Sequence, residues 1–142
     1  MNELYQDNKV SVRVKIIGLW LGMMMLYIYN DFFHLFPDGA IAKIMNGEMG
    51  PLEITQVNLL FAAILMAIPV VLAIVTMFFS VKIIRLLNIV FGVIYTVVNI
   101  SNLIGESWMF WFLLGAIQIV FTIMIVGISL KWPKVKQTVK VH

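Results

Sequence analysis

The sequence predicts an all-α integral membrane protein, an up-down-up-down four-helix bundle with a short amphipathic helix in the first outer loop. Three observations carry that reading. Of 142 residues, 62% are hydrophobic and only 12% charged, about half the charged share of a soluble domain. The apolar residues gather in four blocks, at about 14–36, 54–80, 82–104 and 107–131, each long enough to cross a hydrocarbon core of about 30 Å. Short connections make successive spans antiparallel. One domain, 1–142, is expected, with no room for a second.

Charge sets the orientation. Lys9, Arg13 and Lys15 precede the first span, Lys82 and Arg85 sit at the second connection, and Lys131, Lys134, Lys136 and Lys140 follow the last. Nine of the ten basic residues thus lie at one end, with Lys43 alone at the other. By the positive-inside rule both termini are cytoplasmic. The net charge of +3 is then a topology signal. No nucleic-acid partner is implied, because no folded basic surface lies outside the membrane. Basic residues followed by an apolar run resemble a signal peptide, yet no small-residue cleavage site follows. The first helix is read as retained.

Residues 1–12 form a short polar tail. On the first span Arg13, Trp20, Tyr27, Asp31 and His34 share a face, flanked by Met23, Met24 and Asn30. Asp31 and His34 stand three residues apart and Tyr27 one turn below Asp31, spacings at which side chains can touch. Pro37-Asp38-Gly39 ends the helix. In the loop to Glu53, Ile41, Ile44 and Met45 are spaced for one face of a short helix, either lying on the membrane surface or closing the bundle as a lid. Gly47 to Pro51 make a tight turn into the second span.

That span sets Thr55, Asn58, Ala62, Met66, Pro69, Ala73, Thr76 and Ser80 on one face. Pro69 lies mid-membrane and is expected to kink the helix near Met66, freeing a backbone carbonyl. The residues Ser80 to Lys82 then force the second and third spans to be antiparallel neighbours.

The third span is the most informative. Asn88, Gly92, Tyr95, Asn99, Asn102 and Glu106 recur at alternating spacings of four and three, which at about 100° per residue keeps them on one narrow face. Lipid would solvate the apolar remainder, and the stripe would turn towards protein. On the fourth span Ser107, Trp111, Gly115, Gln118, Thr122 and Ser129 share a face, with Ser107 placed as an N-cap. Trp108 and Trp111 suit one aromatic belt and Trp132 the other. The tail from Lys131 is expected to lie against anionic headgroups.

The polar residues concentrate in the outer half, which predicts an outward-opening polar cavity. Its candidate lining is Tyr27, Asn30, Asp31, His34, Asn58, Tyr95, Asn99, Asn102 and Gln118. Each amide has a plainer reading, since amides in membrane bundles commonly bond other helices for about 0.6 kcal/mol apiece. Asp31 and His34 are candidates for proton transfer, because a carboxylate orients an imidazole and raises its basicity. Glu106 is either a second carboxylate at the cavity mouth or, as favoured, a solvated loop charge, and the ten methionines line a soft apolar pocket or, more often, are packing or lipid-facing residues. With no cysteine, disulfides and thiolate metal sites are excluded. Two histidines, one the terminal His142, do not make a zinc site, and the scattered glycines form no phosphate loop. Neither metal nor cofactor is expected.

The stretches LYIYNDFFHLF (26–36), GEMGP (47–51), LLFAAILMAIP (59–69), LNIVFGVIYTVVN (87–99) and KWP (131–133), in that order, resemble a family of small bacterial four-span membrane proteins of unknown function. The resemblance covers about residues 12 to 134. It implies a bacterial inner-membrane protein and supplies no activity. The architecture is more loosely similar to the DoxX-like group. Two functions stay open. One is binding of a small amphipathic or lipid-like ligand, or an accessory role in which the stripes only fix packing. The other is an intramembrane enzyme, isomerase-like, using Asp31 and His34. Binding or accessory function ranks above catalysis. The expected partners are membrane lipid, a small amphipathic ligand and, as an open possibility, a second copy, which would give transport the room that four spans lack.

The orientation is testable because any cysteine introduced into this chain is unique. With an impermeant thiol reagent on intact cells, a cysteine at Asp38 should label and one at Gln137 should not. The reverse pattern would overturn the orientation.

Overall fold

The computed structural model describes residues 9–134. Lys136, Gln137, Lys140 and His142 lie outside the described residues, as does most of the N-terminal tail. Four long helices, α1 (Val12–Phe33), α3 (Gln56–Phe78), α4 (Val81–Ser101) and α5 (Met109–Leu130), are each long and apolar enough to cross a membrane. The short helix α2 (Ala40–Met45) and a hairpin of β1 (Glu48–Met49) and β2 (Leu52–Glu53) fill the first loop. The protein is a four-helix membrane bundle. One end carries Arg13, Lys15, Lys82, Arg85 and Lys131 and is called the basic end; the other is the hairpin end.

Helix boundaries are set by local chemistry. Ser11 caps α1 by accepting from the Val14 amide at 3.3 Å, and Thr55 caps α3 from the Asn58 amide at 3.1 Å. Helix α1 stops at Phe33, short of the sequence expectation; beyond it the chain tightens, the Leu35 and Phe36 amides bonding the carbonyls of Phe32 and Phe33 three residues earlier, before Pro37. The GEMGP turn is a β-hairpin, its sharp corner made by Gly50 at φ +58°. Ser107 does not cap α5. Trp108 occupies that position without a side-chain bond. Helix α2 packs against β1 and not on the bundle, with Ile41, Ile44 and Met45 exposed. Of the two sequence readings, this geometry matches the surface helix.

Helices α1 and α5 pack closely, as do α1 with α3 and α4 with α5. The α4/α5 seam depends on two glycines. A Cβ on Gly92 would lie 2.7 Å from Cγ2 of Val126, and one on Gly115 would lie 2.5 Å from Cδ2 of Leu103. Helices α3 and α4, although joined by only Phe79 and Ser80, meet sparingly. Bulky Leu72, Val75, Leu87 and Phe91 stand where the glycines stand on the other seam, and an apolar groove of about 340 Å³ remains between the two helices.

The periodicity of α4 is reproduced in space. Asn88, Gly92, Tyr95 and Asn99 are buried, while Val90, Val93, Val97 and Ile100 are exposed on the flanks that would meet lipid. Asn88 is the junction of three helices. Its Oδ1 accepts from Trp20 Nε1 at 2.6 Å, and its Nδ2 donates to Thr76 Oγ1 at 3.1 Å and to the Ile84 carbonyl at 2.7 Å. Trp20 also packs edge-on against Tyr95, ring centroids 5.6 Å apart. Towards α5, Thr96 Oγ1 lies 2.8 Å from Thr122 Oγ1.

Pro69 lacks the amide that would bond the Leu65 carbonyl four residues earlier. The Tyr95 hydroxyl donates to that carbonyl. A gap in one helix is filled by the next.

At the basic end two arginines do similar work for helix termini, whose last carbonyls have no intrahelical partner. Arg13 of α1 donates through Nη1 to the carbonyls of Thr76 at 2.7 Å, Met77 at 3.3 Å and Phe79 at 2.9 Å, closing α3. Arg85 of α4 donates to the Ser129 carbonyl at 2.9 Å, closing α5.

The proline–tyrosine link predicts a coupling. Tyr95→Phe should destabilise the bundle in detergent by about 1–3 kcal/mol, the cost of leaving a buried acceptor unmatched. In a Pro69→Ala background the residue-69 amide can reach Leu65 again, and the same change should cost distinctly less. Thermal unfolding of the four proteins measures this; equal costs in both backgrounds would sever the link.

Candidate functional site

Polar side chains that the first two bonding layers do not use collect nearer the hairpin end. Tyr27 and Asn30 stand three residues apart on the buried face of α1, and Asn99 and Gln118 are buried on α4 and α5. The Tyr27 hydroxyl donates to Asn99 Oδ1, and Asn99 Nδ2 makes a long contact of 3.8 Å to Met23 Sδ. Register brings Gln118 to the same depth. The Thr96–Thr122 and Leu103–Gly115 contacts fix α5 on α4 so that Gln118 is level with Asn99. Phe33 on Phe110 and His34 on Trp111 fix α5 on α1, which sets Gln118 near the level of Tyr27. The four residues therefore fall within roughly one to two helical turns of each other along the bundle axis.

Two polar atoms in this layer are buried without a hydrogen-bond partner, Asn30 Oδ1 and Gln118 Nε2. One is an acceptor and the other a donor. Leaving such groups unmatched costs about 1–3 kcal/mol each. Towards the hairpin end, Phe33, Phe36, Phe110, Trp108 and Trp111 form a contiguous chain of aromatic contacts with centroids 5.8–6.3 Å apart. Trp111 Nε1 donates to the Asn102 carbonyl at 2.7 Å, which pins the end of α4 to the start of α5.

The remaining sequence candidates are distributed differently. Asp31 is exposed on α1, and the His34 ring packs on Trp111 with centroids 5.1 Å apart. Asn102 is exposed and takes part through its backbone carbonyl. Asn58 is half-buried at the start of α3, its Nδ2 donating to the Glu53 carbonyl at 2.9 Å, so that it ties the hairpin to the helix. Tyr95 serves Leu65. The structure thus brings Tyr27, Asn30, Asn99 and Gln118 to one level and leaves Asp31, Asn58 and Asn102 at the rim. Among the described residues, no group of three or more His, Asp or Glu is placed to hold a metal ion.

A protein-family model described as a family of unknown function, DUF6326, matches residues 5–139. The chain belongs to that family. No curated protein and no solved structure matches it. For this DUF6326 member, then, the side-chain geometry itself has to carry the functional reading.

Sequence reasoning did not find the roles of Arg13 and Arg85, because capping of a neighbouring helix depends on which helices are adjacent. A basic residue in the first turns of one span, beside the uncapped end of another, is the signal that could have pointed to it.

Two substitutions separate the buried layer from the rim. Tyr27→Phe, which removes only the donor to Asn99, should lower stability in detergent by about 0.6–1.7 kcal/mol. Asp31→Asn should leave thermal unfolding unchanged within error. A larger loss for Asp31→Asn than for Tyr27→Phe would mean that the carboxylate belongs to the packed network.

Proposed function

We propose that this protein is a non-catalytic module of the bacterial cytoplasmic membrane, with both termini on the cytoplasmic side. In this reading it binds a small amphipath whose polar end enters the hairpin-end layer. The observation that carries the reading is that Asn30 Oδ1 and Gln118 Nε2, at about the depth of the Tyr27–Asn99 bond, are each buried without a partner. Hydroxyl groups can donate to the amide oxygen and accept from the amide nitrogen, so an alcohol-bearing lipid such as a monoacylglycerol is the matching class. Its apolar part would lie against the aromatic residues at the ends of α1 and α5. The exposure of Asp31 and the packing of His34 on Trp111 support binding over proton transfer.

A second reading is accessory. It is favoured by the cross-helix bonds of Asn88, Tyr95 and Thr96, in which the polar stripe is used for assembly. One experiment divides the two readings. Asn30→Leu and Gln118→Met replace the unmatched groups by apolar ones of similar size. If the layer receives a ligand, both variants should unfold at the same or a higher temperature than the parent, and the stabilisation given by added monoacylglycerol should vanish. If the two amides complete the packing, both variants should unfold lower, and monoacylglycerol should stabilise none of the three proteins.

A further inference from the structure

A second feature is independent of the ligand reading above. Along the α4/α5 seam, from the middle of α4 to the last turn of α5, runs an apolar groove of about 380 Å³, bounded by Val93, Thr96 and Val97 of α4 and by Val126, Gly127 and Leu130 of α5. Thr96, the one polar residue of this set, already spends its hydroxyl on Gly92 and Thr122. Gly127 keeps the groove open, since nothing lies within 4 Å of the position its Cβ would take. The groove covers residues 123–130 of α5, a length of roughly 10 Å along the helix axis.

Two lysines lie beyond this groove towards the basic end. Lys82 precedes Val93 by three full helical turns, about 16 Å along the axis, and so shares its face of α4. Lys131 follows Leu130 directly, and both lysines are exposed. Arg85 holds the first turns of α4 against the last turn of α5 through the Ser129 carbonyl at 2.9 Å, which keeps the two lysines at one end of one seam. Trp132, half-buried against the core, marks the same interface.

We propose that this seam binds an anionic phospholipid of the leaflet at the basic end, one acyl chain lying in the groove and the phosphate held by Lys82 and Lys131. Charge complementarity selects the occupant. A hydrocarbon chain alone would gain nothing over bulk lipid in an apolar groove, whereas the two lysines beyond it favour a headgroup with net negative charge. A zwitterionic headgroup carries its own cation to the same place and loses that advantage.

Native mass spectrometry of the full chain in detergent tests the assignment. Phosphatidylglycerol should be retained in preference to phosphatidylcholine of the same chain length. Each lysine-to-glutamine change, Lys82→Gln or Lys131→Gln, should weaken phosphatidylglycerol binding by about fivefold, the factor that corresponds to one basic residue at an anionic surface. Together they should remove the preference. A Cβ at Gly127 meets nothing within 4 Å, and a leucine there would extend into the groove, so in Gly127→Leu the bundle should fold and retention of both lipids should fall. Glycerol phosphate without acyl chains should not compete. Survival of the preference in the double lysine variant would overturn the proposal. So would unchanged retention in Gly127→Leu, or competition by glycerol phosphate, which would assign the cations to a free anion.

Discussion

Hydrocarbon offers no hydrogen bonds, and the bundle is arranged around that one constraint. Asn88 meets it most fully. Buried completely, it accepts from Trp20 on α1 and donates both to Thr76 on α3 and to its own helix. Each of those groups would otherwise be an unmatched polar atom among apolar side chains, so the three helices are fixed in rotation and in depth by one amide. Tyr95 adds the same kind of constraint one level further, and Thr96 extends it to α5. In a medium where apolar burial between spans contributes little, van der Waals packing at Gly92 and Gly115 supplies the closeness, and the polar contacts supply the register.

The interior of α4 was legible in the sequence because its signal is local. Six polar or small residues at spacings of three and four define a face whatever the neighbours are, and that face is buried from Asn88 to Asn99. The carbonyl freed by Pro69 was equally legible, since the loss of an amide is a property of the residue. Its partner was not, because Tyr95 meets Leu65 only once α3 and α4 are set side by side. The same limit explains the α3/α4 contact. A two-residue link dictates proximity at one end, but the bulk of Leu87 and Phe91 decides whether the helices close along their length.

The candidate site was legible to the same extent. Tyr27, Asn30, Asn99 and Gln118 lie on stripes that periodicity marks, and the structure places them at one level. Polarity alone also gathered Asp31 and Asn102, which are exposed, and Asn58, which bonds the Glu53 carbonyl. Asp31 lies next to Asn30 in α1, so rotation about the helix axis, not depth, separates the buried residue from the exposed one. His34 caps α1, its amide still bonded to the Asn30 carbonyl at 3.0 Å, and its ring packs on Trp111, a partner that depends on how α5 is placed.

The two arginine caps divide the chain into halves. Arg13 joins the beginning of α1 to the end of α3, and Arg85 joins the beginning of α4 to the end of α5. Each half is therefore a pair of antiparallel spans with its open end latched from within, and only residues 80–84 separate the latches in sequence. A chain leaving the ribosome presents everything the first latch needs before the second pair of spans exists. The first pair can enter the bilayer already closed. What the second pair must then find is a prefabricated surface of Trp20, Thr76 and the Leu65 carbonyl, each waiting for a residue of α4.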